Sequence, residues 1–193
     1  LDESGIVYIG AEVAQVATSG ISSSVIIGNR AMYASTGGAD CVVIGRFAGS
    51  SASGGQNILI GTSAGRSNTN VGHHSIGYQA GYSQTSGLRN TNMGYQAGYS
   101  TTTAGNNTHF GYQAGRYHNT TGNVLIGDNA GGGAAWGLSG GTAIGYNAGL
   151  RLEFGDGVVA IGRNAAQGAT GSQAARQGSV FIGDYAGSYA NRN

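Results

Sequence analysis

Residues 76–81 read IGYQAG, and this hexapeptide decides the fold because close variants of it recur along the whole sequence. The variants include IGRFAG at 44–49, IGTSAG at 60–65, IGDNAG at 126–131, IGYNAG at 144–149 and IGDYAG at 182–187. The first residue of each variant is the last residue of a short β-favouring triplet, and about eleven copies are present, spaced by roughly 17 residues. The first Gly of each hexapeptide, here called the anchoring glycine, falls at Gly10, Gly28, Gly45, Gly61, Gly77, Gly94, Gly111, Gly127, Gly145, Gly162 and Gly183.

The repeat period predicts the fold class. A unit of about 17 residues is too short for a pair of helices, but it can hold one coil with short strands and tight corners. We therefore expect an all-β protein, a parallel β-solenoid or β-roll of about eleven coils, in which residues 1–193 form a single repeat domain. Coils stacked about 4.8 Å apart give a rod on the order of 50 Å long.

Composition excludes several other classes. The chain has 193 residues with 39 Gly, no Pro, one Cys and a net charge of +1, and all nine basic residues are Arg. The absence of Pro excludes collagen, the single Cys41 excludes a disulfide scaffold, and apolar runs of three or four residues are too short for a transmembrane helix. Scattered Arg residues do not form the basic patch of a nucleic-acid-binding protein. We expect neither membrane insertion nor nucleic acid binding.

The residue before each anchoring glycine is always apolar, which predicts that it faces the core. The residue two positions earlier is β-branched in nearly every copy and shares its strand face. The Ala three residues after the anchor completes a thin predicted interior. The predicted core residues are Ile27, Ile44, Ile60, Ile76, Met93, Phe110, Ile126, Ile144, Ile161 and Ile182.

The residue between these two strand positions is then predicted to point outward, and it is mostly apolar. Monomers rarely expose a continuous apolar strip, so we interpret it as the surface on which copies of the chain pack. The alternative is that a loop of the same chain covers it. The predicted subunit interface comprises Ile26, Val43, Leu59, Ser75, Asn92, His109, Leu125 and Phe181.

The repeated IG-x-x-AG unit resembles the glycine-rich repeats of bacteriophage tail fibres and is similar to the YadA-like head repeats of trimeric autotransporter adhesins. The resemblance extends over roughly residues 7–188. It implies three chains packed side by side as a shaft or a receptor-binding head. The coils here are two or three residues longer than those of the adhesin heads, so the tail-fibre repeats are the closer match.

No pattern in the sequence predicts an enzyme, a metal site or a cofactor. The eight carboxylates are mostly isolated, and Asp128 and Asp184 occupy equivalent positions three coils apart, roughly 14 Å. Glu153 and Asp156 are closer in sequence, but a solvated loop explains them better than a glycan-cleaving pair. The histidines lack the spacing of metal ligands. If the strip with Ser75, Asn92 and His109 faced a threefold axis between chains, three His109 rings could hold an ion or water. The favoured alternative is that these polar residues are a hydrated interruption of an otherwise apolar interface.

Rows of Tyr and amide side chains follow the anchoring glycine in successive copies. Stacking and amide hydrogen bonds explain such rows as purely stabilising. The alternative is a cell-surface glycan, since Tyr rings and amides suit the faces and hydroxyls of sugars. The candidate glycan-binding residues are Tyr78, Tyr95, Tyr112, Tyr82 and Tyr99.

These features together predict a structural protein. We expect a host- or surface-binding segment of a trimeric extracellular fibre, in a virion tail fibre or on a cell surface, with the open ends covered by flanking fibre segments. The alternative is a subunit of an extracellular filament that polymerises end to end through its open strand edges.

Overall fold

A computed structural model describes residues 5–17, 20–133, 139–152, 156–168 and 177–188. These residues form strands and turns and include no helix. The strands are β1 (Val7–Ile9), β2 (Ile21–Ser22), β3 (Val25–Ile27), β4 (Gly38–Ala39), β5 (Val42–Ile44), β6 (Ile58–Ile60), β7 (His74–Ile76), β8 (Thr91–Met93), β9 (Thr108–Phe110), β10 (Val124–Ile126), β11 (Thr142–Ile144), β12 (Val159–Ile161) and β13 (Val180–Ile182).

The fold is a parallel β-solenoid, as the repeat period predicts. Eleven strands form one sheet in the order β1-β3-β5-β6-β7-β8-β9-β10-β11-β12-β13, and each is parallel to its neighbours. Equivalent repeat positions pair directly, as Ile60 does with Ile76. Strands β2 and β4 form a second, short parallel pair. Each motif copy therefore contributes one strand to a continuous ladder.

The anchoring glycines form a column in which the backbones of successive coils approach closely. Gly94 has a φ of 137°, a conformation that a side chain rarely allows, and the equivalent glycines have φ values near it. A Cβ on Gly94 would overlap the carbonyl oxygen of Gly111 in the next coil. Glycine is required here both by the backbone angle and by the space available.

The residue two positions after each anchoring glycine adopts the left-handed backbone conformation. Gln79, Gln96 and Asn129 there have φ values of 53°, 52° and 54°. Asn tolerates this conformation better than most residues, which accounts for its recurrence at the position. Ladder packing explains the Gln residues at this position, and the left-handed backbone supplies a second reason for the Asn residues.

The predicted assignment of the two strand faces was wrong. The middle residue of each strand points inward: Ile26, Leu59 and Leu125 are fully buried in the single chain, so they cannot form a subunit interface. The remaining predicted interface residues are also inside, with Phe181 partly buried against the core and the others fully buried, namely Val43, Ser75, Asn92 and His109.

The residues predicted as core lie on the outer face instead. Phe110 and Ile182 are 50% and 68% exposed. The others are only partly buried: Ile27, Ile44, Ile60, Ile76, Met93, Ile126, Ile144 and Ile161.

A break in strand alternation explains the reversal. The Ala three residues after the anchor is buried as predicted, and counting back from it in steps of two would place the Ile before the anchor inside. However, the positive φ values at the anchoring glycine and two residues later interrupt the extended backbone between strand and Ala. The alternation of inward and outward side chains is therefore not continuous from the strand to the Ala. The residue before the anchoring glycine points outward, although the Ala points inward.

The interior changes character along the rod. One apolar cluster extends from Ile6 to Leu59, and a second from Leu125 to Ala166. The middle strand positions between them are the polar Ser75, Asn92 and His109. The solenoid therefore has two apolar ends and a polar centre.

Candidate functional site

The outer face of the eleven-stranded sheet is the largest candidate interaction surface. It consists of the first and third residues of each strand, and 18 of these 22 residues are apolar. The four polar ones are His74, Thr91, Thr108 and Thr142. A face about 50 Å long and roughly 10 Å wide presents on the order of 500 Å², comparable with the largest apolar patches of monomeric proteins.

The tyrosine rows form as predicted. The rings of Tyr78 and Tyr95 stack at 5.2 Å, and those of Tyr95 and Tyr112 stack at 5.1 Å. Tyr82 and Tyr99 form a second stack at 5.0 Å. Stacked rings cover one another's faces, so the exposed parts within each row are ring edges and hydroxyl groups. A sugar ring could contact these edges, but it could not lie flat between the tyrosines.

The amide rows beside the tyrosines are hydrogen-bonded along the rod axis. Gln96 donates through Nε2 to Gln79 Oε1 at 2.8 Å, and Gln113 donates to Gln96 Oε1 at 3.1 Å. Asn147 donates to Asn164 Oδ1 at 3.2 Å. These bonds stabilise the stacking of successive coils.

The predicted polar layers Ser75, Asn92 and His109 do come together, but inside the coil rather than on an axis between chains. Asn92 Oδ1 lies 2.8 Å from His109 Nδ1, and Asn92 Nδ2 lies 3.4 Å from both Ser75 Oγ and Gln84 Oε1. The ring of His118 contacts His109 edge-on at 5.9 Å between centroids. The arrangement is therefore a buried hydrogen-bonded network within a single chain.

Burial strongly favours the neutral form of two histidines in this region. Desolvation, with a smaller contribution from His118, lowers the pKa of His109 to about 3. Desolvation likewise lowers the pKa of His73 to about 4. His109 Nε2 and both ring nitrogens of His73 are buried without a hydrogen-bond partner. The centre of the rod therefore resists protonation.

A ladder of buried asparagines was missed by the sequence analysis. Asn57, Asn90, Asn107 and Asn123 each lie just before a strand and accept a hydrogen bond through Oδ1 from the backbone N–H at the same position of the next coil, at 2.8 to 2.9 Å. The signal was present, because Asn recurs one residue before the strand triplet. Hydrophobic periodicity alone does not reveal the ladder, because its members are polar.

The charged groups of the described residues form two ion pairs, Arg30–Glu12 and Arg163–Asp184, both at 2.5 Å and exposed. The hydrogen bond from Arg163 lowers the pKa of the Asp184 carboxyl. Asp156 is exposed, while Glu153 lies outside the described residues. Across the described ranges there is no cluster of three His, Cys, Asp or Glu side chains that could hold a metal ion.

Cys41 is buried with a free thiol. Burial raises the pKa of the Cys41 thiol, which disfavours the reactive thiolate. In the part of the chain that the structure describes, no helix is long and apolar enough to cross a membrane.

Comparison of the chain with known protein families, with curated proteins and with solved structures found no match.

Proposed function

We propose that the chain is a non-enzymatic structural segment of an extracellular fibre, in which copies pack side by side through the outer sheet face. The observation that carries the proposal is the continuous apolar surface of that face. Ile44 and Ile60 belong to this surface, and both are half-buried in the single chain. Burying it against other copies removes apolar area from water along the length of the rod.

A trimer is the assembly that the resemblance to tail fibres and adhesin heads favours. In such an assembly the parallel rods present one sheet face to a common axis. The fibre segment would give reach and stiffness, and its remaining faces would contact a host cell or another surface. The relevant face is the outer one, and not the buried strip that the sequence analysis selected.

The test is the solution mass of the chain, measured by light scattering coupled to size exclusion. We expect a discrete mass of three chains. The double variant Ile44→Asp and Ile60→Asp places two carboxylates on the sheet face and is expected to give single chains. A matched control, Ser51→Asp with Ser86→Asp, adds the same charge at exposed positions off that face and should retain the assembled mass.

A wild-type chain that runs as a monomer would contradict lateral packing. Open-ended polymers would support the second candidate, an end-to-end filament. The observation that favours that candidate is that β1 and β13 are the two edge strands of the sheet among the described residues. A further strand, from a flanking segment or another subunit, could pair with each.

A further inference from the structure

Four side chains form a continuous stack on the surface of four successive coils. They are Arg66, Tyr82, Tyr99 and Arg116, and each lies five residues after its anchoring glycine. Tyr82 and Tyr99 stack at 5.0 Å with an interplanar angle of 15°. The Arg66 guanidinium carbon lies 5.6 Å from the Tyr82 centroid and that of Arg116 5.9 Å from the Tyr99 centroid. The two rings are thus flanked by a cation at each end.

Neither arginine of the stack has a carboxylate partner among the described residues. Both ion pairs there involve other arginines. Between residues 13 and 127 the sequence contains five Arg but one acidic residue, Asp40. Arg66 is exposed and donates to the Tyr82 hydroxyl at 2.8 Å, while Arg116 is half-buried and its Nε is buried without a hydrogen-bond partner. The stack therefore orients two guanidinium groups without neutralising them.

The geometry favours an acidic glycan over a nucleic acid. Proteins that bind single-stranded nucleic acid use exposed aromatic faces to stack bases. Here Tyr82 and Tyr99 cover each other on one side and the arginines flank them on the other. The exposed Arg66 and the half-buried Tyr82, Tyr99 and Arg116 therefore offer ring edges, phenol hydroxyls and guanidinium groups to a ligand rather than open ring faces. Hydroxyls hydrogen-bond to sugar hydroxyls, and guanidinium groups bind carboxylates and sulfates.

The spacing points to an extended polymer rather than a small ligand. Arg66 and Arg116 are three coil steps apart, which places their backbones about 14 Å from each other along the rod axis. One small anion cannot contact both groups, whereas a linear chain that carries an acidic group every few sugars can. The stack is also parallel to the rod axis, so a polymer on it would lie along the fibre.

We propose that the stack Arg66–Tyr82–Tyr99–Arg116 is a binding site for an acidic polysaccharide that lies along the rod. The guanidinium groups bind its carboxylates or sulfates, and the tyrosine hydroxyls bind its sugar hydroxyls. This proposal deepens the surface-binding part of the proposed function, but it does not depend on the assembly state, because the four residues belong to one chain.

The test is calorimetric titration of the full chain with three length-matched oligosaccharides: an oligogalacturonate, a sulfated oligosaccharide and a neutral one. We expect binding of at least one acidic probe and none of the neutral probe. The double variant Arg66→Gln and Arg116→Gln should weaken binding by roughly 10-fold or more, since it removes the charge-assisted hydrogen bonds from both guanidinium groups to the ligand.

The control removes the same charge elsewhere. Arg89→Gln with Arg151→Gln eliminates two exposed arginines outside the stack. The affinity should change less than about twofold, because salt screens charges that do not contact the ligand. Arg66→Lys with Arg116→Lys keeps both charges and should bind at an intermediate level, because an ammonium cannot bind a carboxylate in a bidentate manner.

Three results would overturn the proposal: no binding of either acidic probe by the wild type, equal losses in the stack and control variants, or binding of a single-stranded oligonucleotide in preference to both acidic probes. The wild-type titrations need no variant, so a variant that fails to fold does not remove the test. A monomeric wild type that binds an acidic probe would contradict lateral packing while leaving this site intact.

Discussion

At the scale of single residues, two backbone requirements explain much of the unusual composition. The anchoring glycines are fixed by close contact between coils, and the residue two positions later is fixed in a left-handed conformation. Both requirements recur in every coil because every coil makes the same turn. The abundance of Gly is therefore a consequence of the fold as well as of the surface chemistry, and so is Asn where it occupies the left-handed position.

The glycine column makes a prediction at this scale. Gly94→Ala should lower the free energy of unfolding by about 3 kcal/mol or more, since the new methyl group meets the Gly111 carbonyl and the backbone angle is strained. Gly72→Ala is the matched control. Gly72 has a φ of 75° and open space around the missing Cβ, so the cost should be about 1 to 2 kcal/mol. Urea denaturation of both variants measures the difference, and equal costs would contradict the close-contact explanation.

At the scale of the strand, the three-residue elements separate two kinds of apolar side chain. Leu59 in the middle of β6 is fully buried, whereas Ile60 beside it is only partly buried on the outer face. The first contributes to the stability of one chain. The second contributes chiefly to assembly if copies pack through that face.

The two adjacent residues can be distinguished by truncation. Leu59→Ala should reduce the free energy of unfolding by about 3 kcal/mol, within the usual range for core truncations, and Ile60→Ala by about 1 kcal/mol. The measurement is urea denaturation at a concentration where the chain is a single copy. Leu125→Ala and Ile126→Ala in β10 repeat the comparison in the other apolar cluster. The opposite order in both pairs would contradict the observed strand orientation.

The strands also show what the sequence could and could not predict. The period predicted the solenoid, the parallel pairing and the direct register, and the Ala at the turn was correctly placed inside. A triplet such as Val42-Val43-Ile44 is apolar on both faces, so alternation alone does not say which face is inside.

A better signal lay in the coils with polar residues. Ser75, Asn92 and His109 occur together with polar residues such as Gln84 and His118, and all five are buried. Polar residues that cluster in successive coils indicate shared hydrogen bonding in one interior. The sequence pattern also did not predict that Arg66 and Arg116 stack on Tyr82 and Tyr99. Equivalent positions of these coils hold two different residue types, so the row is not visible as a repeat of one residue.

At the scale of the whole molecule, the polar centre divides the rod into two apolar halves. The coils around Asn92 and His109 depend on hydrogen bonds rather than on burial of apolar groups. Several buried polar atoms there lack a partner, including His109 Nε2 and Gln84 Nε2. Unsatisfied buried groups destabilise a folded state, so among the coils that have a neighbour on both sides the central ones are expected to open first.

The pH dependence of stability follows from the buried histidines. His109 and His73 have pKa values of about 3 and about 4 in the folded chain, below the ordinary 6.5. At a pH between the folded pKa and the ordinary pKa of histidine, each of these side chains is protonated in the unfolded chain and neutral in the folded chain. Stability contributed by each neutral histidine is therefore complete above pH 6.5 and falls as the pH decreases toward the folded pKa, by about 2 kcal/mol between pH 7 and pH 5.

Urea denaturation at pH 7 and pH 5 checks this expectation. The variant His109→Gln should lose about 2 kcal/mol less stability than the wild type over this interval. An identical pH dependence in the wild type and His109→Gln would show that His109 is not buried in its neutral form. Among the coils that have a neighbour on both sides, hydrogen exchange at pH 5 should be fastest in those that contain His73 and His109.

The uniform column of anchoring glycines has a consequence for how such a protein can change in length. Because each coil contacts the next through the same backbone atoms, unequal recombination that adds or deletes one repeat in an apolar half would leave the cross-section unchanged. The polar coils differ, since Asn92 needs Ser75 and Gln84 on one side and His109 on the other. Duplication of a repeat within the apolar halves would therefore be tolerated, whereas the central coils would have to be kept together in their present order.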